Sequence, residues 1–93
     1  MKKEGPQWRR AKEYEFLGES LSRYPLVEIA GNKRVIVENH MGIVKYGAQE
    51  IGVKVRDGKI CVSGVGLEIA CIAKDKLVMY GRIEGVCLYN GGD

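Results

Sequence analysis

The sequence is short of several residue types, and each shortage excludes a class of protein. It holds one histidine, two prolines, one tryptophan and one phenylalanine among 93 residues. A single imidazole leaves His40 as the one side chain that ordinarily titrates near neutral pH. Cys61, Cys71 and Cys87 are odd in number and widely spaced, with no Cys-x-x-Cys pair. That pattern predicts neither a zinc site nor a disulfide framework. Each cysteine sits in an apolar run, so all three are expected as buried reduced thiols acting as small hydrophobes. No run of 18 apolar residues occurs, which excludes a hydrophobic transmembrane helix. Met1, Lys2 and Lys3 begin like the basic part of a signal peptide, but Glu4, Gly5, Gln7, Arg9 and Arg10 follow. The chain is therefore expected in the cytoplasm. No helix-length segment separates the later apolar runs, so a parallel α/β fold is excluded too.

What the chain does hold is glycine and β-branched residues. Thirteen glycines, ten valines and eight isoleucines favour short strands joined by tight turns. A length of 93 residues fits one small domain. The excess of 15 basic over 12 acidic residues is spread along the chain and points to no particular partner.

Two unequal parts are predicted. Residues 1–24 read as an N-terminal helical segment, because Trp8, Ala11, Tyr14, Leu17 and Leu21 recur at intervals of three and four. Within it the periodic run covers residues 7–23; Pro6 stands just before that run and Pro25 ends it. Such a helix has three uses open to it: covering the following sheet, docking on a partner protein, or lying on a membrane surface. From Pro25 the period becomes two, so residues 25–93 read as a β domain. Strands are predicted at Leu26–Ala30, Arg34–Glu38, Ile43–Tyr46, Ile51–Arg56 and Lys59–Ser63, then from Leu67, at Leu77–Tyr80 and at Ile83–Tyr89. Asp57-Gly58 is the strongest hairpin signal. Gly64 and Gly66 read as one interruption, Gly81-Arg82 as another. The fold expected is all-β: a small antiparallel meander, roll or sandwich of seven or eight short strands, with the helix at its start. The helix or a second copy would cover one face, and unpaired edge strands would favour self-association or strand addition.

Reactive constellations are scarce. Ser20, Ser22 and Ser63 sit in no nucleophile elbow, and His40 beside Asn39 fits a hydrogen-bonding turn better than a catalytic dyad. Gly64-Val65-Gly66 lacks the rest of a dinucleotide fingerprint. No catalytic residue, metal or cofactor is assigned. Lys33, Arg34, Lys45, Lys54, Arg56 and Lys59 form a candidate basic face, so binding of single-stranded nucleic acid stands as the alternative function.

A resemblance carries the reading further. The stretch from Pro25 through Gly31-Asn32, Glu38-Asn39-His40, Gly42-Ile43 and Tyr46 is similar to the sporulation proteins of the YabP/YqfC family, and to the YqfC branch most closely. Ile51-Gly-Val-Lys-Val, Gly58 to Gly64, Gly66 to Ile69 and Gly81 to Val86 fit later blocks of that family. The likeness spans roughly residues 24–89. It implies an all-β, non-enzymatic protein of endospore-forming Firmicutes, made in the mother cell. It further implies a small component or scaffold of a membrane-associated assembly, with a YqfD-type membrane-associated protein as partner. A cytoplasmic location, peripheral to a membrane through that partner, would follow, and a homo-oligomer is compatible with it. No small-molecule substrate is expected. Candidate partner-binding residues are Arg34, Asn39, His40 and Tyr46, with Trp8 and Tyr14 as N-terminal anchors.

Overall fold

A computed structural model describes residues 24–91. The predicted N-terminal helix, and with it Trp8 and Tyr14, lies outside the described residues. Six strands follow in chain order: β1 (Leu26–Ala30), β2 (Arg34–Glu38), β3 (Ile43–Tyr46), β4 (Glu50–Val55), β5 (Gly58–Ile72) and β6 (Lys76–Asn90). All belong to one antiparallel sheet of order β1-β2-β6-β5-β4-β3. From β3 to β6 the path is a meander. The β1–β2 hairpin instead returns to pair with β6, through Arg34↔Tyr80 to Glu38↔Lys76.

The strand count is six, where the sequence predicts seven or eight. The difference lies in β5 and β6, which are 15 residues each. Gly64 and Gly66 do not end a strand; they sit in bulges, where the register with β6 shifts between Ser63 and Gly64 and again between Val65 and Glu68. A Cβ on Gly64 would run into the carbonyl oxygen of Arg82. Gly81 has φ 147°, and a Cβ there would come within 2.9 Å of the Leu67 Cα. The glycines thus let the two long strands bend together without breaking their ladder. The Asp57-Gly58 signal falls one residue late. Val55 pairs with Gly58, so the tight turn is Arg56-Asp57, with Asp57 at φ 66°.

The bend divides the sheet into two halves. The first comprises β1, β2, the start of β6 and the end of β5. The second comprises β3, β4, the start of β5 and the end of β6. Val35, Val37, Leu77 and Met79 from the first half join Ile51, Val53, Val55, Ile60 and Val62 from the second in one buried cluster, with Leu67 and Ile83 at the bend. The sheet is a roll that covers its own inner face. That answers the need for a cover within the described residues themselves, because the ribbon is long enough to fold over. No charged or polar residue lies in this core.

The cysteines are not core residues. Ile60 and Val62 point inward, so Cys61 between them points outward and is half-buried; Cys71 and Cys87 are exposed. Period-two alternation overrides the apolar character of the run.

Candidate functional site

The turn between β2 and β3 gathers two of the predicted residues. Asn39 takes φ 65°, a left-handed conformation that asparagine tolerates better than most residues. Its side-chain Nδ2 donates to the Tyr24 carbonyl at 2.8 Å, and its backbone N–H donates to the Asp75 carbonyl at 2.6 Å. The His40 ring closes the same turn. The Gly42 N–H donates to Nδ1 at 3.1 Å, which makes Nδ1 the acceptor; Nε2 then carries the proton and donates to the Ala73 carbonyl at 3.0 Å. The Met41 N–H to the Lys54 carbonyl (2.7 Å) and the Lys54 N–H to the Gly42 carbonyl (2.8 Å) tie the far side of the turn to β4. Both imidazole nitrogens are therefore spent on backbone groups. The cluster latches the β2–β3 turn to the β5–β6 turn and presents no free base.

Arg34 and Tyr46 stand apart from that latch. β2 and β3 are not neighbours in the sheet, and Arg34 opens β2 whereas Tyr46 closes β3. Arg34 is half-buried between Ala30 and Tyr80, and its Nε is buried without a hydrogen-bond partner. Tyr46 is 60% exposed; its hydroxyl oxygen lies 3.4 Å from the Ile69 N–H, bridging β3 to the end of β5. The four described candidates do not converge on one cleft.

A polar group that the sequence reading missed lies on the outer face of the second half. Lys45 Nζ meets Glu50 Oε1 at 2.7 Å, and the Cys61 thiol donates to Glu50 Oε2 at 2.8 Å. The thiol hydrogen bond, then Lys45, holds the Glu50 carboxyl below its usual range. Burial, then Glu50, pushes the Cys61 thiol up. The hydrogen bond that Lys45 donates to Glu50 likewise raises Lys45. Cys87 is the register partner of Cys61, and its charge when ionised raises the Tyr89 hydroxyl. Lys59 places its ammonium 5.6 Å from the Tyr89 ring centroid, within cation–π range. Lys54, Lys59 and Tyr89 form one cross-strand row beside an open hollow of about 760 Å³. Lys33 and Arg34 belong to the other half of the sheet, so the basic residues picked from sequence do not form one stripe.

The sheet also has open edges. Among the described residues, no strand pairs with the outer side of β1 or β3. β3 is four residues long and carries a register shift between Ile43 and Lys45, features that blunt an edge. β1 keeps regular register over five residues, with Leu26 and Ile29 each about half exposed. Beside it lies a hollow of about 350 Å³ lined by Tyr24, Pro25, Val27, Val55, Ile60 and Leu88 among others. Leu88 is 70% exposed. Arg56 stacks over Tyr24 at 4.7 Å and frames that opening. Alternation located these strands, but which of them stay unpaired depends on sheet order, which no local pattern carries.

Comparison with known proteins gives the family-level likeness. The model of the YabP family matches residues 23–92. A protein of Bacillus subtilis (strain 168), described as the uncharacterized protein YqfC, is 24% identical over 62 residues, covering 67% of each chain. No solved structure matches.

Proposed function

The chain belongs to the YabP family, and from that premise we propose a non-enzymatic, protein–protein interaction role in sporulation. It serves as a small component or scaffold of a mother-cell assembly at a membrane, held there by a YqfD-type membrane-associated protein. The observation that carries this reading is the regular, apolar, unpaired β1 edge beside the hollow floored by Val27, Ile60 and Leu88. An extended segment of a partner would add to β1 through main-chain hydrogen bonds and seat apolar side chains in the hollow. The occupation of both His40 nitrogens by backbone supports a structural task for that turn over a catalytic one. Trp8 and Tyr14 are proposed as further anchors.

The test is co-purification with the YqfD-type protein, with light scattering of the isolated chain. A saturable complex is expected, lost when Ile29 and Leu88 are both replaced by lysine while circular dichroism stays unchanged. A complex indifferent to those changes moves the dock away from β1. Loss of binding on removal of residues 1–23 supports the two aromatic anchors, and unchanged binding removes them. No complex, with a discrete homomeric particle instead, replaces the partner reading by a self-assembled scaffold. The Lys54–Lys59–Tyr89 row supports the alternative, single-stranded nucleic acid. Salt-sensitive binding of an oligonucleotide, abolished by Lys59→Glu, would favour it.

A further inference from the structure

Cys61 and Cys87 face each other across the β5–β6 ribbon, and we propose that they form a two-thiol oxidation site that closes to a cross-strand disulfide under a peroxide-class oxidant. The geometry starts from register. The two are direct partners in an unbroken run from Gly58↔Asn90 to Ser63↔Gly85, clear of the bulges. Antiparallel partners hold their Cα atoms about 4.5–5.5 Å apart, inside the range that disulfides span. Their Cβ atoms are about 4.5–5.5 Å apart in such pairs and need to close by roughly 1 Å. The ribbon can yield that much, because Gly85–Asn90 of β6 has β5 as its one strand neighbour among the described residues. Both side chains project from the outer face, so no core packing opposes the movement. Cys87 is the exposed member and Cys61 the half-buried one.

Their surroundings order the two steps. Cys61 donates a hydrogen bond to Glu50, whose other oxygen is held by Lys45. This keeps Cys61 as a thiol and leaves Cys87 as the first site of attack. The Cys87 thiolate takes an oxygen from hydrogen peroxide, breaking the O–O bond, to give a sulfenic acid and hydroxide. The Cys61 sulfur then attacks the Cys87 sulfur. The S–O bond breaks, the leaving oxygen and the thiol proton depart as water, and the S–S bond forms. Overall, two thiols and one peroxide give one disulfide and two waters. An exposed cross-strand disulfide is open to attack by a small thiol, so the step is reversible. Cys71 pairs with Val78 on the other half of the sheet and is a built-in control.

The experiment treats the purified full chain with hydrogen peroxide, alkylates it with iodoacetamide and reads the intact mass. Of the three thiols, only Cys71 is expected to take up label after oxidation, and all three after reduction. Proteolytic mapping is expected to show one peptide joined through Cys61 and Cys87, and the melting temperature rises by several degrees. Cys71→Ser should leave that cross-link unchanged. Cys61→Ser should drive Cys87 onward to sulfinic acid with no internal link. Three labels remaining after peroxide, oxygen added without a cross-link in the parent chain, or links made through Cys71 would each overturn the proposal.

Discussion

The Asn39–Gly42 turn and the Glu50–Cys61–Cys87 face invite opposite first impressions. The turn holds the lone histidine and the most distinctive residues of the chain, and looks like a site. Both imidazole nitrogens and the Asn39 Nδ2 are committed to backbone groups, of the turn itself, of Tyr24 and of the β5–β6 turn. The outer face is built from scattered residues with no motif, yet it holds a thiol, a carboxylate and an ammonium group in mutual contact, with the Lys59 ammonium nearby over the Tyr89 ring. A polar residue that satisfies buried or half-buried backbone is part of the fold; one that answers only to other side chains is available for chemistry.

Three sets of variants break or sharpen that contrast, in falling order of effect. Gly64→Val removes the bend that both regions depend on. With its Cβ directed at the Arg82 carbonyl, it should cost about 3 kcal/mol or more. Urea unfolding that matches the parent would show that the bend tolerates a side chain. His40→Ala removes the hydrogen bonds to the Gly42 N–H and the Ala73 carbonyl, which lie where water can partly replace them, and should cost about 1–2 kcal/mol. Cys87→Ser, on the exposed face, should stay within about 0.5 kcal/mol in reducing buffer. Equal losses for those two would erase the contrast altogether.

The smallest effect is a pH dependence. Glu50 is held below its usual range in the folded state, so the unfolded chain binds its proton more readily. Its contribution is present above the ordinary glutamate range and fades as pH falls through the lowered folded value. Both partners of the Lys45 pair are well exposed, so the effect is slight and weakens with salt. The midpoint difference between the parent chain and Glu50→Gln should therefore be visible at pH 7 in low salt and fade on acidification below the ordinary glutamate range. A difference that grows on acidification would mean that Glu50 destabilises the fold.

Much of the architecture was legible because it is local. Alternating Val35 and Val37 against Ile36, and Ile51, Val53 and Val55 against polar neighbours, places β2 and β4 and names their inward faces. The bounds of β1, β2 and β3 follow from their flanking turn residues. Gly64, Gly66 and Gly81 read locally as strand ends, because a glycine at a turn and a glycine at a bulge look alike. Only the partner strand decides which it is, and Arg82 lies far from Gly64 in sequence. The return of β2 to β6 is hidden for the same reason. His40 could be assigned to a turn, but not to the Ala73 carbonyl, 33 positions away. The outward direction of Cys61 was within reach, since Ile60 and Val62 fix its parity; reading the run as uniformly apolar concealed it.

The placement of β6 sets the order in which the molecule can come into being. It is the last described strand in sequence but the third in the sheet, and it alone joins β2 to β5. While the polypeptide is being synthesised, the β1–β2 hairpin therefore has no sheet to join until Lys76–Tyr80 has emerged. The inner faces of both halves meet water until then. The junction of the two halves thus depends on a strand late in the sequence. Loss of Lys76–Tyr80 would leave the β1–β2 hairpin without its strand partner, where loss of an edge strand would merely shorten the sheet.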